Sequence, residues 1–102
     1  MRMHKPPHPG EFIQQTFLEP NASVSARSIA KALKVSPSTF NRLLRAESGV
    51  SANMAYRLSK VLGISPEAWL AMQNQYDLWL ERDTLKKNKL QPFEFPRRKS
   101  AR

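Results

Sequence analysis

The chain has 102 residues, 40% of them hydrophobic, no cysteine, and a formal net charge of +9. That length suits one domain with one modest core. The lack of cysteine excludes disulfides and thiolate metal sites, and no apolar run approaches the ~20 residues that span a bilayer.

Residues 1–8 (MRMHKPPH) are polar and rich in proline, and read as an extended or disordered leader. They hold basic residues but no apolar stretch of the kind a signal peptide needs, so a cytoplasmic location is expected. The first helix is predicted from Pro9 to about Leu18. Proline suits a first helical turn, Glu11 suits the positive helix end, and Phe12, Ile13 and Phe17 form an apolar face. Pro20-Asn21 stops it.

The second helix runs from about Ser25, an N-cap, to Leu33, with Ile29, Ala30 and Leu33 at helical spacing. Lys34-Val35-Ser36 is a three-residue break. The third helix opens with Ser36 as N-cap and Pro37 at its first position, and buries Phe40, Leu43 and Leu44. After a loop through Gly49, a fourth helix starts at Ser51 and ends at Gly63. The fifth repeats the Ser-Pro opening at Ser65-Pro66 and ends between Asp83 and Lys87. Its Trp69, Met72, Tyr76 and Trp79 form one stripe, while Leu70, Leu78 and Leu80 lie off it, giving a face broader than one small core needs. Six of the nine net charges sit in residues 85–102, where seven Lys or Arg meet Glu94 alone. This stretch, with Pro92 and Pro96, reads as a flexible basic tail attracted to polyanions. The expected domains are therefore a leader at 1–8, a helical domain at 9–84 and a tail at 85–102, in an all-α architecture.

Two short helices joined by a three-residue turn form a helix-turn-helix. The second helix must bury one stripe and offer the other to the DNA major groove. Opposite Phe40, Leu43 and Leu44 lie Ser38, Asn41, Arg42 and Arg45, with Thr39 near the tip. Arg42 can donate two bonds to a guanine edge, Asn41 can pair with adenine, and Ser38 or Thr39 can reach a base or a phosphate. Ser36 acts first as a cap. Arg27 and Arg45 suit backbone phosphates. Tyr76, Trp79 and Leu80 are the expected dimer contacts. A small basic ribonuclease is the enzymatic rival, but His4 and His8 are the only histidines and flank Pro6-Pro7, so neither an acid-base pair nor a helical metal pair is expected. No cofactor is implied.

The run from Ser25 to Leu44 resembles the helix-turn-helix of Cro/cI-type repressors. His8-Pro9-Gly10-Glu11, the Gly49–Leu58 segment and the Ser65–Leu78 segment (SPEAWLAMQNQYDL) resemble the HigA family of antitoxins over residues 8–80. The resemblance implies a five-helix, lambda-repressor-like domain. It implies a homodimer paired through its C-terminal helical region that binds a palindromic operator in double-stranded DNA and represses its own operon. It also implies a partner toxin, HigB, a RelE-type ribonuclease. A stand-alone repressor with no toxin shares every DNA-binding residue and stays open at this point. Lys34 stands where the family's turn usually carries glycine, which costs about 1 kcal/mol if the residue is left-handed. The basic tail lies outside the family pattern.

Overall fold

The computed structural model describes residues 4–97. The expectations for residues 1–3 of the leader and 98–102 of the tail lie outside the described residues. Five α-helices follow one another: α1 (Pro9–Ile13), α2 (Ala26–Leu33), α3 (Pro37–Leu44), α4 (Ala52–Leu62) and α5 (Pro66–Lys87). No strand occurs among the described residues. No described helix is long and apolar enough to cross a membrane.

The helix starts are set by side-chain caps. Ser25, Ser36, Ser51 and Ser65 each hold an extended backbone and accept a hydrogen bond from an amide three residues on. Pro37 and Pro66 follow two of them in the first helical turn, where a missing amide hydrogen does no harm. Gly63, at φ 86°, ends α4.

The first helix differs from the expected continuous one. After Ile13 it widens into a π-helical turn, Gln14–Leu18, closed by a 2.8 Å bond from the Glu19 amide to the Gln14 carbonyl. Phe12 and Phe17 are five residues apart, which an α-helix would splay by about 140°. The wider turn brings them to an edge-to-face contact with ring centroids 6.2 Å apart.

The core gathers Ile13, Ile29, Ala30, Leu33, Phe40, Leu43, Leu44, Val50, Ala55, Leu58 and Trp69. Trp69 is fully buried, donates its indole N–H to the Gly63 carbonyl at 3.2 Å and meets Phe12 edge-on. Gln73 is the polar pin of the bundle. Its Oε1 accepts the Val50 amide at 2.9 Å and its Nε2 donates to Asp77, which fixes the loop between α3 and α4 to α5.

His8 ends the leader, expected to be extended or disordered, with an extended backbone and a buried side chain. Its Nδ1 accepts the Gly10 amide at 2.9 Å and caps α1, and its ring meets Tyr76 edge-on at 4.9 Å. Sequence reasoning took the histidine as part of a polar proline stretch and gave it no partner. At the other end α5 stays helical to Lys87, within the range expected for its end.

Candidate nucleic-acid interface

The turn between α2 and α3 is built by local hydrogen bonding. Lys34 is left-handed, at φ 61° and ψ 43°. Its amide bonds to the Lys31 carbonyl at 3.0 Å, and the Val35 amide bonds to the Ala30 carbonyl at 3.1 Å. This is the pairing of a Schellman stop, which usually takes glycine at the left-handed position. The unusual side chain expected there is therefore held in the strained conformation.

A second clamp comes from α4. Arg57 donates Nη1 to the Leu33 carbonyl at 2.7 Å, and its Nε donates to the Asn53 side chain at 2.7 Å. A carbonyl at the end of α2, which the helix itself cannot satisfy, thus receives a charged donor. No sequence spacing points to this clamp, because the partner carbonyl lies 24 residues away.

Phe40, Leu43 and Leu44 are buried, which turns the opposite side of α3 outward. Ser38, Arg42 and Arg45 are exposed there, about 140–200° around the helix from Phe40. Thr39 and Asn41 flank the buried stripe at about 100° on either side and are half-buried. The structure thus brings Ser38, Arg42 and Arg45 onto one open face and leaves Thr39 and Asn41 at its edges. Ser36 and Thr39 are tied to each other: the Ser36 hydroxyl accepts the Thr39 amide at 3.1 Å and donates to the Thr39 hydroxyl at 2.9 Å. Ser36 serves as the cap, and its free bonding capacity is small.

Arg42 has no ion-pair partner among the described residues. Arg45 differs. Its Nε and Nη2 meet the two carboxylate oxygens of Glu47 at 2.9 and 3.4 Å. The pair raises the Arg45 guanidinium above its ordinary range and lowers the Glu47 carboxyl below its own, mainly through the hydrogen bond between them. Both are fully exposed, so the pair is loose and salt-sensitive.

Arg27, exposed on α2, shares a shallow cleft with Lys31, Val35 and Pro37 at the N-terminal end of α3. Lys31 was not among the expected contacts. It stands four residues after Arg27 on an exposed helix face, and that spacing was a legible signal. The cleft combines two cations with the amide end of a helix, which is suited to a phosphate. The two elements together therefore present a cationic rim and a polar, arginine-bearing helix face.

The profile of the helix-turn-helix family matches residues 19–69. The chain is 44% identical over 71 residues to virulence-associated protein I of Dichelobacter nodosus, covering 70% of this chain and 65% of that relative. It thus spans a little under two thirds of that protein. It is 36% identical over 76 residues to antitoxin HigA-1 of Vibrio cholerae, covering 74% of this chain and 70% of that one. Among solved structures, antitoxin GraA in complex with its operator matches with a TM-score of 0.76 and 35% identity, over 93% of this chain and 98% of that one.

Proposed function

This chain belongs to the helix-turn-helix family, among its HigA-like DNA-binding antitoxins and regulators, and from that membership we propose that it binds the palindromic operator of its own operon as a homodimer, represses that operon, and neutralises a RelE/HigB-type ribonuclease toxin by binding it. The family is non-enzymatic, so the ribonuclease reading falls.

The observation that carries the DNA reading is the outer face of α3. Arg42, unpaired among the described residues, stands beside exposed Ser38 on a helix whose other face is wholly core. In this reading Arg42 reads a base edge. Ser38, Thr39 and Asn41 support it. Arg27, Lys31 and Arg45 hold phosphates, and Ser36 shapes the helix tip. Arg45 must exchange Glu47 for phosphate, which adds a salt-sensitive step.

Pairing through α5 would set two such helices about 34–36 Å apart, one turn of DNA. Tyr76 and Trp79 are half-buried against the leader and Leu80 is exposed. Exposed Leu78 and Leu85 extend the apolar surface of α5 beyond them. Gel shifts with the DNA upstream of the chain's own gene, against a shuffled sequence at matched salt, test the operator reading. Equal affinity for both would remove sequence-specific repression. Co-expression with the neighbouring reading frame tests the toxin reading, and it fails if the two products do not co-purify and the neighbour's toxicity is unrelieved.

A further inference from the structure

From Lys89 to Arg97 the chain runs out as an arm whose every residue is exposed. Leu90, Phe93 and Phe95 are 71%, 72% and 78% exposed. Phe93 and Phe95 lean on each other edge-to-face at 4.6 Å. Being two apart in an extended segment, they point the same way and form one apolar knob. Pro92 and Pro96 bracket them and restrict the backbone, which lowers the ordering needed for docking.

The same chain carries a groove of matching character. The leader crosses α5 and leaves a hollow of about 340 Å³ lined by His4, Pro6, Gln75, Leu78, Trp79 and Arg82. Leu78 is 71% exposed at its edge. Lys5 and Arg82 stand over the Trp79 ring, at 5.6 and 4.4 Å from its centroid, and give the rim a positive charge that suits Glu94 of the arm. The indole N–H of Trp79 is buried and has no acceptor among the described residues.

We propose that the arm Leu90–Phe95 of one copy docks in the leader–α5 groove of a second copy, in a reciprocal arm exchange. The proposal rests on the dimer reading above and says which groups complete its interface. Gln75, Leu78, Arg82 and Leu85 recur at intervals of three and four and share one face of α5. An antiparallel two-fold crossing near Lys87 sets Asn88 of one helix beside Lys86 of the other, and Leu90, about 7 Å further along the arm, beside Arg82. The arm then runs along the groove from Arg82 toward Gln75. That stretch of helix is about 10 Å long, and Leu90 to Phe93 in extended form is also about 10 Å. A two-fold contact makes both exchanges at once and closes on itself.

Because the chain has no cysteine, single thiols report the contact without background. Gln75→Cys and Phe93→Cys both alter exposed side chains that the exchange sets side by side, so the fold should tolerate them. Mixed under oxidation, the two single variants are expected to give a disulfide-linked heterodimer as the main product, since a disulfide needs Cα atoms about 4.4–6.8 Å apart. Phe93→Ser with Phe95→Ser in the full chain is expected to raise the dimer dissociation constant roughly tenfold or more. A Gln75→Cys/Phe93→Cys double variant that closes only within single chains would show the arm folding onto its own copy, and overturns the exchange. No heterodisulfide in a protein that light scattering finds dimeric overturns the exchange and leaves the dimer standing. A monomer at tens of micromolar overturns both.

Discussion

Replacing Gly10 by alanine should damage the recognition helix from behind. Gly10 sits in α1 with its Cα pressed against the last turn of α3. A Cβ added there would collide with the Leu43 carbonyl oxygen and lie 2.8 Å from the Leu43 carbonyl carbon and 2.9 Å from Leu44 Cα. All three are backbone atoms, so no rotamer change relieves the clash. Ordinary contact begins near 3.4 Å, so α1 and α3 must separate by at least half an ångström, and by more at the oxygen. Overpacking of this kind costs about 1–3 kcal/mol. Alanine's advantage over glycine within a helix returns about 0.5–1 kcal/mol. The backbone nature of the clash puts the cost at the upper end, so the net loss should be near 2 kcal/mol. At about 4–8 °C per kcal/mol for a domain of this size, the melting temperature should fall by roughly 10 °C. Operator affinity should fall with it, because the displaced residues carry Arg42 and Arg45. Differential scanning calorimetry measures the first effect and gel shifts the second, with Glu11→Ala on the exposed side of α1 as the control. A melting temperature that holds or rises would mean that α1 and α3 do not approach so closely, and would refute the packing argument.

Arg42→Ala should weaken operator binding by about 1–3 kcal/mol and relax the preference at one base pair per half-site, whereas Lys86→Ala should lower affinity evenly; an operator-variant gel-shift series in which Arg42→Ala weakens all sequences alike would make Arg42 a phosphate contact. Lys34→Gly should raise stability by up to about 1 kcal/mol while DNA binding persists, since the left-handed φ of 61° no longer carries a side chain; a lower melting temperature would show that added freedom of the unfolded chain dominates. Burial pushes the His8 imidazole below its ordinary value of 6.5, against the opposing Ser48 backbone bond and the charges of Asp77 and Glu11. The unfolded chain therefore binds the proton first, and His8's contribution is complete above about pH 6.5 and declines as pH falls through and below that value. Thermal melts across this range should show a slope that His8→Asn flattens, and an unflattened slope would place it elsewhere. Glu47→Gln should free Arg45 and strengthen DNA binding most at low salt, where the ion pair that Arg45 has to leave is least screened; unchanged affinity across a salt titration would mean that Arg45 does not touch DNA.

What the sequence made legible was whatever is local. Serine caps, the Ser-Pro openings, Gly63 and the buried stripe of α3 are determined within four or five residues, and each appears where the periodicity put it. The outward side of α3 followed from that stripe by elimination, so Ser38, Arg42 and Arg45 could be placed on it, whereas Asn41, placed there with them, lies half-buried at its edge. The groups that hold this face in position were not legible. Arg57 reaches a carbonyl 24 residues back, Gln73 reaches an amide 23 residues back, and His8 meets Tyr76 across the whole domain. No spacing rule connects such pairs. Gly10 illustrates the middle case: a glycine in a first helical turn is unremarkable locally, and only the approach of α3 explains it. The π-helical turn was hidden for a different reason, since five-residue spacing of two phenylalanines reads as helix in general and not as a widened one.

The two halves of α5 differ in what stabilises them. Its buried residues, Trp69 and Gln73, both lie in the first eight positions, and every residue from Leu80 to Lys87 is exposed. A helical stretch of that length holds itself together poorly in water, because isolated helices shorter than about 12–15 residues are marginal. Its Leu, Glu, Arg and Lys residues favour the helix, but packing is what usually supplies most of a helix's stability. Yet this half carries Leu80 and Leu85 at 50% and 48% exposure, and the arm beyond it adds Leu90, Phe93 and Phe95. Burying one such side chain gains about 1.5–3 kcal/mol, so two or three of them would suffice to order the segment. The bundle around α3 is complete within one copy, with its core, clamps and caps satisfied. The distal half of α5 and the arm carry exposed apolar side chains, and in the proposed dimer a second molecule covers them. In that proposal, order in the segment and assembly are one equilibrium, and the spacing of the two reading faces on DNA depends on it.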